Sequence, residues 1–136
     1  MKYLIKNGKT INEGKITEQD ILIDDNFIIK IDTDISDASA TVIDAQGKYI
    51  IPGIIDDQVH FREPGLTHKA SIYTESKAAI AGGVTTFMEQ PNTKPAALTQ
   101  ALLEEKYAIA QATSLANYTF FMGTSNDNYE EVMKTD

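Results

Sequence analysis

The sequence contains no cysteine. Neither a disulfide framework nor a thiolate metal site is open to it, so any metal must be held by nitrogen and oxygen. Positive charge is scarce as well: 12 Lys and Arg stand against 20 Asp and Glu, for a net charge of −8. No basic stripe or cluster is available to neutralise phosphates, which argues against binding the nucleic-acid backbone. Long apolar runs are missing too. The longest apolar cluster, YIIPGII, is broken by Pro52 and Gly53, and the opening MKYLIKNGKTINEG lacks the sustained apolar core of a signal peptide. These absences set the expectation of a soluble, cytoplasmic protein with neither a membrane nor a nucleic-acid partner.

What remains is ordinary globular composition, 136 residues with 42% apolar and 24% charged, enough for a domain with a real core. The character changes near residue 50. Before it, short β-branched runs at 3–5, 21–23, 27–31 and 41–43 alternate with turn residues such as Asp24-Asp25-Asn26 and Ala45-Gln46-Gly47, which predicts a small all-β unit over 1–50. After it, strand and helix patterns alternate. Strands are predicted at about 54–61, 84–90 and 118–123, with helices in 71–83 and 98–114 and a third beginning near 126. That order is the signature of parallel strands with crossover helices.

Local signals agree. Ser71 or Thr74 is placed to cap the first helix and Gly82-Gly83 to end it. In the second, Leu102, Leu103, Tyr107, Ile109 and Ala110 approximate a buried stripe, with Glu104, Glu105 and Lys106 expected on the wet side. Three βα units over 51–136 do not close a barrel, and a three-stranded parallel sheet exposes its edges. The expectation is therefore a fragment of a longer fold.

The stretch IIDDQVHFREPG, residues 54–65, carries the chemistry. As a strand it puts Asp56, Gln58, His60 and Arg62 on one face and Ile55, Asp57, Val59 and Phe61 on the other. A histidine pair at i and i+2 on a strand would be a ready metal clamp, but the first place here is glutamine. His60 read alone also fits a hydrogen-bonded loop histidine, Arg62 a partner for Glu63 or Asp57, and Asn92 a turn former. Asp56 fits either a supporting partner of the site or a hydrogen bond within the strand, and His68 and Lys69 fit a solvent-facing loop or a cap of the helix that follows.

PGIIDDQVHFREPG followed by KAAIAGGVTTFMEQPNTKP closely resembles the dihydroorotases of the amidohydrolase superfamily, whose pattern is Pro-Gly-x-Ile-Asp-x-His-Val-His-x-Arg-Glu-Pro-Gly and then Gly-Gly-x-Thr-Thr leading to Met-Pro-Asn-Thr-x-Pro. The resemblance extends to the preceding β unit and to the later FFMGTSNDN. It implies a partial (β/α)8 TIM barrel, its first three βα units, preceded by part of a small β-sandwich. It further implies reversible interconversion of N-carbamoyl-aspartate and dihydroorotate in pyrimidine biosynthesis, with one or two Zn2+ ions in the complete protein. Zinc suits such a reaction because it polarises an amide carbonyl and lowers the pKa of bound water.

By the same resemblance His60 is a metal ligand, Gln58 stands where a second ligand is usual, and Arg62 and Asn92 hold the substrate carboxylate. A guanidinium fork and an amide donor suit that task. The family's remaining metal ligands and its catalytic base match nothing within these 136 residues, so no catalytic residue is assigned and the isolated chain is expected to be inactive. Gln58 for histidine and Gln90 for methionine depart from the pattern. Two other readings stay open: a hydantoinase or allantoinase on the same barrel, and a non-catalytic scaffold associated with a partner such as aspartate carbamoyltransferase. A homo-oligomer is compatible with each.

Overall fold

At Glu13 and Gly14 the backbone adopts φ values of 48° and 72°, the left-handed pair that a tight turn between twisted antiparallel strands requires. They join β1 (Lys2–Asn12) to β2 (Lys15–Asp24). This hairpin is much longer than its apolar triplets predict. Lys9 faces Glu18 and Thr10 faces Thr17; such polar residues become strand because the turn propagates its register along both arms.

β3 (Phe27–Asp32) pairs antiparallel with β2, while β4 (Thr41–Asp44) and β5 (Tyr49–Ile50) pair parallel with β1. The sheet order is β3-β2-β1-β4. Its core is small, built on Leu4, Leu22 and Ile35. Beside it Asp20 is buried, accepting the Ile35 amide at 3.0 Å and facing Lys6 Nζ at 3.3 Å. β3 is exposed along its whole length. The computed structural model describes residues 1–135, which fall into two compact units, Met1–Pro52 and the residues from Gly53 onward.

The second unit runs β6 (Ile54–Val59), α1 (Ile72–Ala81), β7 (Val84–Glu89), α2 (Gln100–Thr113), β8 (Asn117–Phe120) and the single turn α3 (Tyr129–Val132). β6, β7 and β8 form a parallel sheet in that order, with a helix in each crossover. α1 starts at a reciprocal capping box in which Ser71 accepts the Thr74 amide and Thr74 accepts the Ser71 amide. It stops at Gly82, after which Gly83 carries the left-handed turn at φ 88°. Thr99 caps α2 through the Leu102 amide.

Phe87, fully buried on the central strand, organises the core, with its ring centroid 4.5 Å from Phe61 and 6.4 Å from Phe120. Ile72, Leu103 and Ala110 close over it from the helices. Burying one such aromatic stabilises by roughly 2–3 kcal/mol. Ser76, also fully buried, ties α1 to the approach of β8 by accepting the Leu115 amide at 3.1 Å. No helix among the described residues is long and apolar enough to cross a membrane.

Three expectations are corrected here. The strand predicted to reach residue 61 ends at Val59, and the helix predicted from 126 is one short turn. Lys106, expected on the wet face of α2, is 1% exposed. It lies three residues after Leu103 and four before Ala110, so the helical period itself places it on the buried stripe.

Candidate functional site

His60 immediately follows β6, and Asn92 lies three residues beyond the end of β7. The carboxyl ends of neighbouring parallel strands thus bring together two residues 32 apart in sequence, with His60 Nδ1 and Asn92 Oδ1 at 2.9 Å. This edge of a parallel sheet is where α/β proteins bind ligands. In the tautomer with its proton on Nδ1, His60 donates to the asparagine oxygen and keeps the lone pair on Nε2. The asparagine keeps both protons on Nδ2 for another acceptor. Both side chains are exposed.

Arg62 does not continue the alternation of β6. Its φ is 72°, so the chain leaves the strand direction at this residue and side-chain alternation no longer sets where the guanidinium points. The side chain is half-buried and forms no ion pair among the described residues. Pairing with Glu63 or Asp57 is therefore absent. Glu63 is engaged otherwise, accepting the Ile72 amide at 2.8 Å at the start of α1, where a carboxylate suits the helix dipole.

The Arg62 loop is pressed against the segment after Asn92. Lys94 donates its amide to Pro64 at 3.1 Å. A β-carbon on Gly65 would fall 1.9 Å from the Lys94 carbonyl oxygen, so glycine is required by close approach as well as by its φ of 81°. Thr93, buried, donates its hydroxyl to Pro95 at 2.9 Å. Farther along, buried Asn128 donates to the carbonyls of Leu98 at 2.9 Å and Gly123 at 2.8 Å, joining the loops that follow β7 and β8.

Beneath Arg62 lies an ion pair that the sequence reading missed. Glu89 is fully buried at the end of β7, and its carboxylate meets Lys106 Nζ at 3.0 Å. Glu89 Oε1 accepts the Arg62 amide at 3.0 Å. The ammonium donates to the Gln90 carbonyl at 3.1 Å and stands 4.9 Å from the centre of the Phe120 ring. Burial pushes the Glu89 carboxyl above its ordinary range, against the opposing pull of Lys106 and of the Arg62 and Phe61 amides. Burial likewise lowers the Lys106 ammonium, against the pull of Glu89. The available signal was a charge in phase with Phe87 on β7 and an opposite charge in phase with Leu103 on α2.

The other candidates stay apart from this cluster. Gln58 is exposed, and its amide donates to Asp56 Oδ1 at 3.1 Å, so Asp56 makes a local strand hydrogen bond. His68 and Lys69 are exposed and cap nothing. Among the described residues no group of three or more His, Cys, Asp or Glu is arranged to hold a metal. His60 Nε2 is one available donor, and one imidazole does not make a zinc centre.

A family model described as dihydro-orotase-like matches residues 47–134. Dihydroorotases of Carboxydothermus hydrogenoformans and Bacillus cytotoxicus are 48% and 50% identical to this chain over 97 and 96 residues, in each case 70% of it. The matches cover only 23% and 22% of those relatives. Among solved structures, the L-hydantoinase (dihydropyrimidinase) of Arthrobacter aurescens aligns with 97% of the chain at a TM-score of 0.92 and 32% identity, over 30% of its own length. The dihydropyrimidinase of Brevibacillus agri aligns with 98% at a TM-score of 0.84 and 29% identity, again over 30% of its length.

Proposed function

The chain belongs to the dihydro-orotase-like family, and from that premise we propose that it supplies the carboxylate-binding side of an amidohydrolase acting on cyclic amides, with dihydroorotate as the ring that suits its residues best. In this reading the residues from Gly53 onward are the first three βα units of a (β/α)8 barrel, and those before it are part of a small β-sandwich. The reaction is the reversible hydrolysis of a ring amide, in which water adds to the carbonyl carbon and the C–N bond breaks to give N-carbamoyl-aspartate. The observation that carries the proposal is the 2.9 Å contact between His60 and Asn92. It joins the two sequence motifs at one mouth and leaves Asn92 Nδ2 free to donate.

Arg62 is assigned as a second donor to the same substrate carboxylate. Its side chain has no carboxylate of the described chain to satisfy it, and a substrate carboxylate offers the two acceptors a guanidinium fork needs. His60 is assigned as one nitrogen ligand of a Zn2+ site in the complete protein, with Gln58 as a weak neighbour at most. The described residues do not complete that shell, so no step is derived through the metal. What they supply is recognition and orientation of the substrate's charged end.

The hydantoinase likeness at a TM-score of 0.92 favours a second reading, a ring that lacks the carboxylate. The two separate on one experiment with the complete protein. Turnover of dihydroorotate and of dihydrouracil, the same ring without the carboxylate, is compared before and after Arg62→Lys. On the first reading the substitution lowers kcat/KM for dihydroorotate by about 30- to 800-fold, the equivalent of roughly 2–4 kcal/mol for a lost charge-assisted bidentate contact, and leaves the unsubstituted ring unaffected. A change of only a few-fold would mean that Arg62 does not hold the carboxylate.

A further inference from the structure

Glu89 is a carboxylate where a carboxylate is costly, sealed at the end of β7 next to the aromatic cluster of Phe61, Phe87 and Phe120. Its charge is matched by Lys106 at 3.0 Å. An apolar pair of similar volume would fill the space without the desolvation penalty. An apolar side chain could not, however, accept the Arg62 amide, which Glu89 Oε1 does at 3.0 Å. Arg62 has a φ of 72°, a left-handed conformation that a β-carbon disfavours and that persists only when its surroundings hold it.

The other partner reaches the opposite arm. Lys106 Nζ donates to the Gln90 carbonyl at 3.1 Å, two residues before Asn92. The Gln90 amide in turn donates to Val59 at 3.0 Å, directly before His60. One buried pair therefore braces the backbone on both sides of the mouth.

We propose that Glu89, matched by Lys106, is a positioning residue that holds Arg62 in its left-handed conformation and so aims the guanidinium at the substrate carboxylate. The proposal rests on the functional reading above. It gives the buried charge a task that packing alone does not: an acceptor fixed against one backbone amide, out of reach of water.

The test compares two charge-neutral replacements in the complete protein. Glu89→Met with Lys106→Met removes both charges and the acceptor. Glu89→Gln with Lys106→Met also removes both charges but keeps an acceptor oxygen for Arg62. Readouts are the thermal midpoint, hydrogen exchange at the Arg62 amide, and kcat and KM for dihydroorotate.

In the first variant, exchange at Arg62 is expected to rise by about tenfold or more. KM should rise by about tenfold while kcat stays within about threefold, because contacts to the remote carboxylate act alike on ground and transition states. In the second, both quantities should return to within about threefold of the parent. A merely structural pair would leave Arg62 exchange and KM unmoved in a folded first variant, and that result overturns the proposal. So does a second variant no better than the first. Should the first fail to fold, the second decides alone, and unprotected Arg62 in it is equally fatal. A parent that does not turn over dihydroorotate sinks the functional reading instead, while exchange at Arg62, which needs no substrate, still decides whether Glu89 holds the loop.

Discussion

Replacing Lys106 alone by methionine isolates the cost of the buried charge. The substitution removes an ammonium 3.0 Å from Glu89, 3.1 Å from the Gln90 carbonyl and 4.9 Å from the Phe120 ring centre, and leaves a fully buried carboxylate. Truncating one member of a buried pair costs about 3–5 kcal/mol. With a urea m-value of about 1–3 kcal/mol per molar, the midpoint falls by about 1 M or more.

The loss should depend on pH. Glu89 already lies above its ordinary 4.5 through burial, with Lys106 pulling it down; without Lys106 it rises further. A carboxyl raised in the folded state binds more protons there than when unfolded, so stability falls as pH rises from 4.5 through the folded value and recovers on acidification. Urea unfolding at pH 5.5 and 7.5 measures this directly. Adding Glu89→Met should recover most of the loss at both pH values. If the single variant lies within about 1 kcal/mol of the parent, or the double variant is no more stable than the single, the pair is not the buried ion pair described.

Two further outcomes are expected. Gln58→His would put a second imidazole two residues before His60, as in the family's pattern, and metal analysis after dialysis of the complete protein should show higher zinc content or tighter retention, since imidazole is a better zinc donor than a neutral amide oxygen; two zinc ions firmly held by the parent and unchanged by the substitution would refute this. Asp37 is lowered from 3.8 to about 2 by the Ser39 hydroxyl, the Ser39 amide and Lys2. Its contribution to stability is present above 3.8 and disappears as pH falls through about 2. A carboxyl carbon titration with a midpoint near the ordinary value would show those hydrogen bonds to be absent in solution.

Much of the secondary structure was legible because its signals are short-range. The β-branched runs, the Ser71 cap and the left-handed turn after α1 each depend on a few neighbouring residues, and α1, β7 and α2 lie close to where they were predicted. Strand ends were less so. Residues 9–12 and 15–18 carry no apolar alternation and join the hairpin only through register. The charge of Lys106 suggests the wet face, while its helical period, three after Leu103 and four before Ala110, places it on the buried one.

Taken by itself, the sequence determined the order of strands and helices and the family that the two motifs resemble, and it offered His60, Arg62 and Asn92 as candidates for a site. It could not determine which of them touch. The contact of His60 with Asn92 and the pairing of Glu89 with Lys106 exist because parallel pairing sets β6 beside β7 and α2 packs over the sheet. The turn at Arg62 is likewise set from outside its own segment, by an acceptor 27 residues away. Local propensity has no term for a partner that arrives on another element, and a buried charge is tolerable only where such a partner arrives.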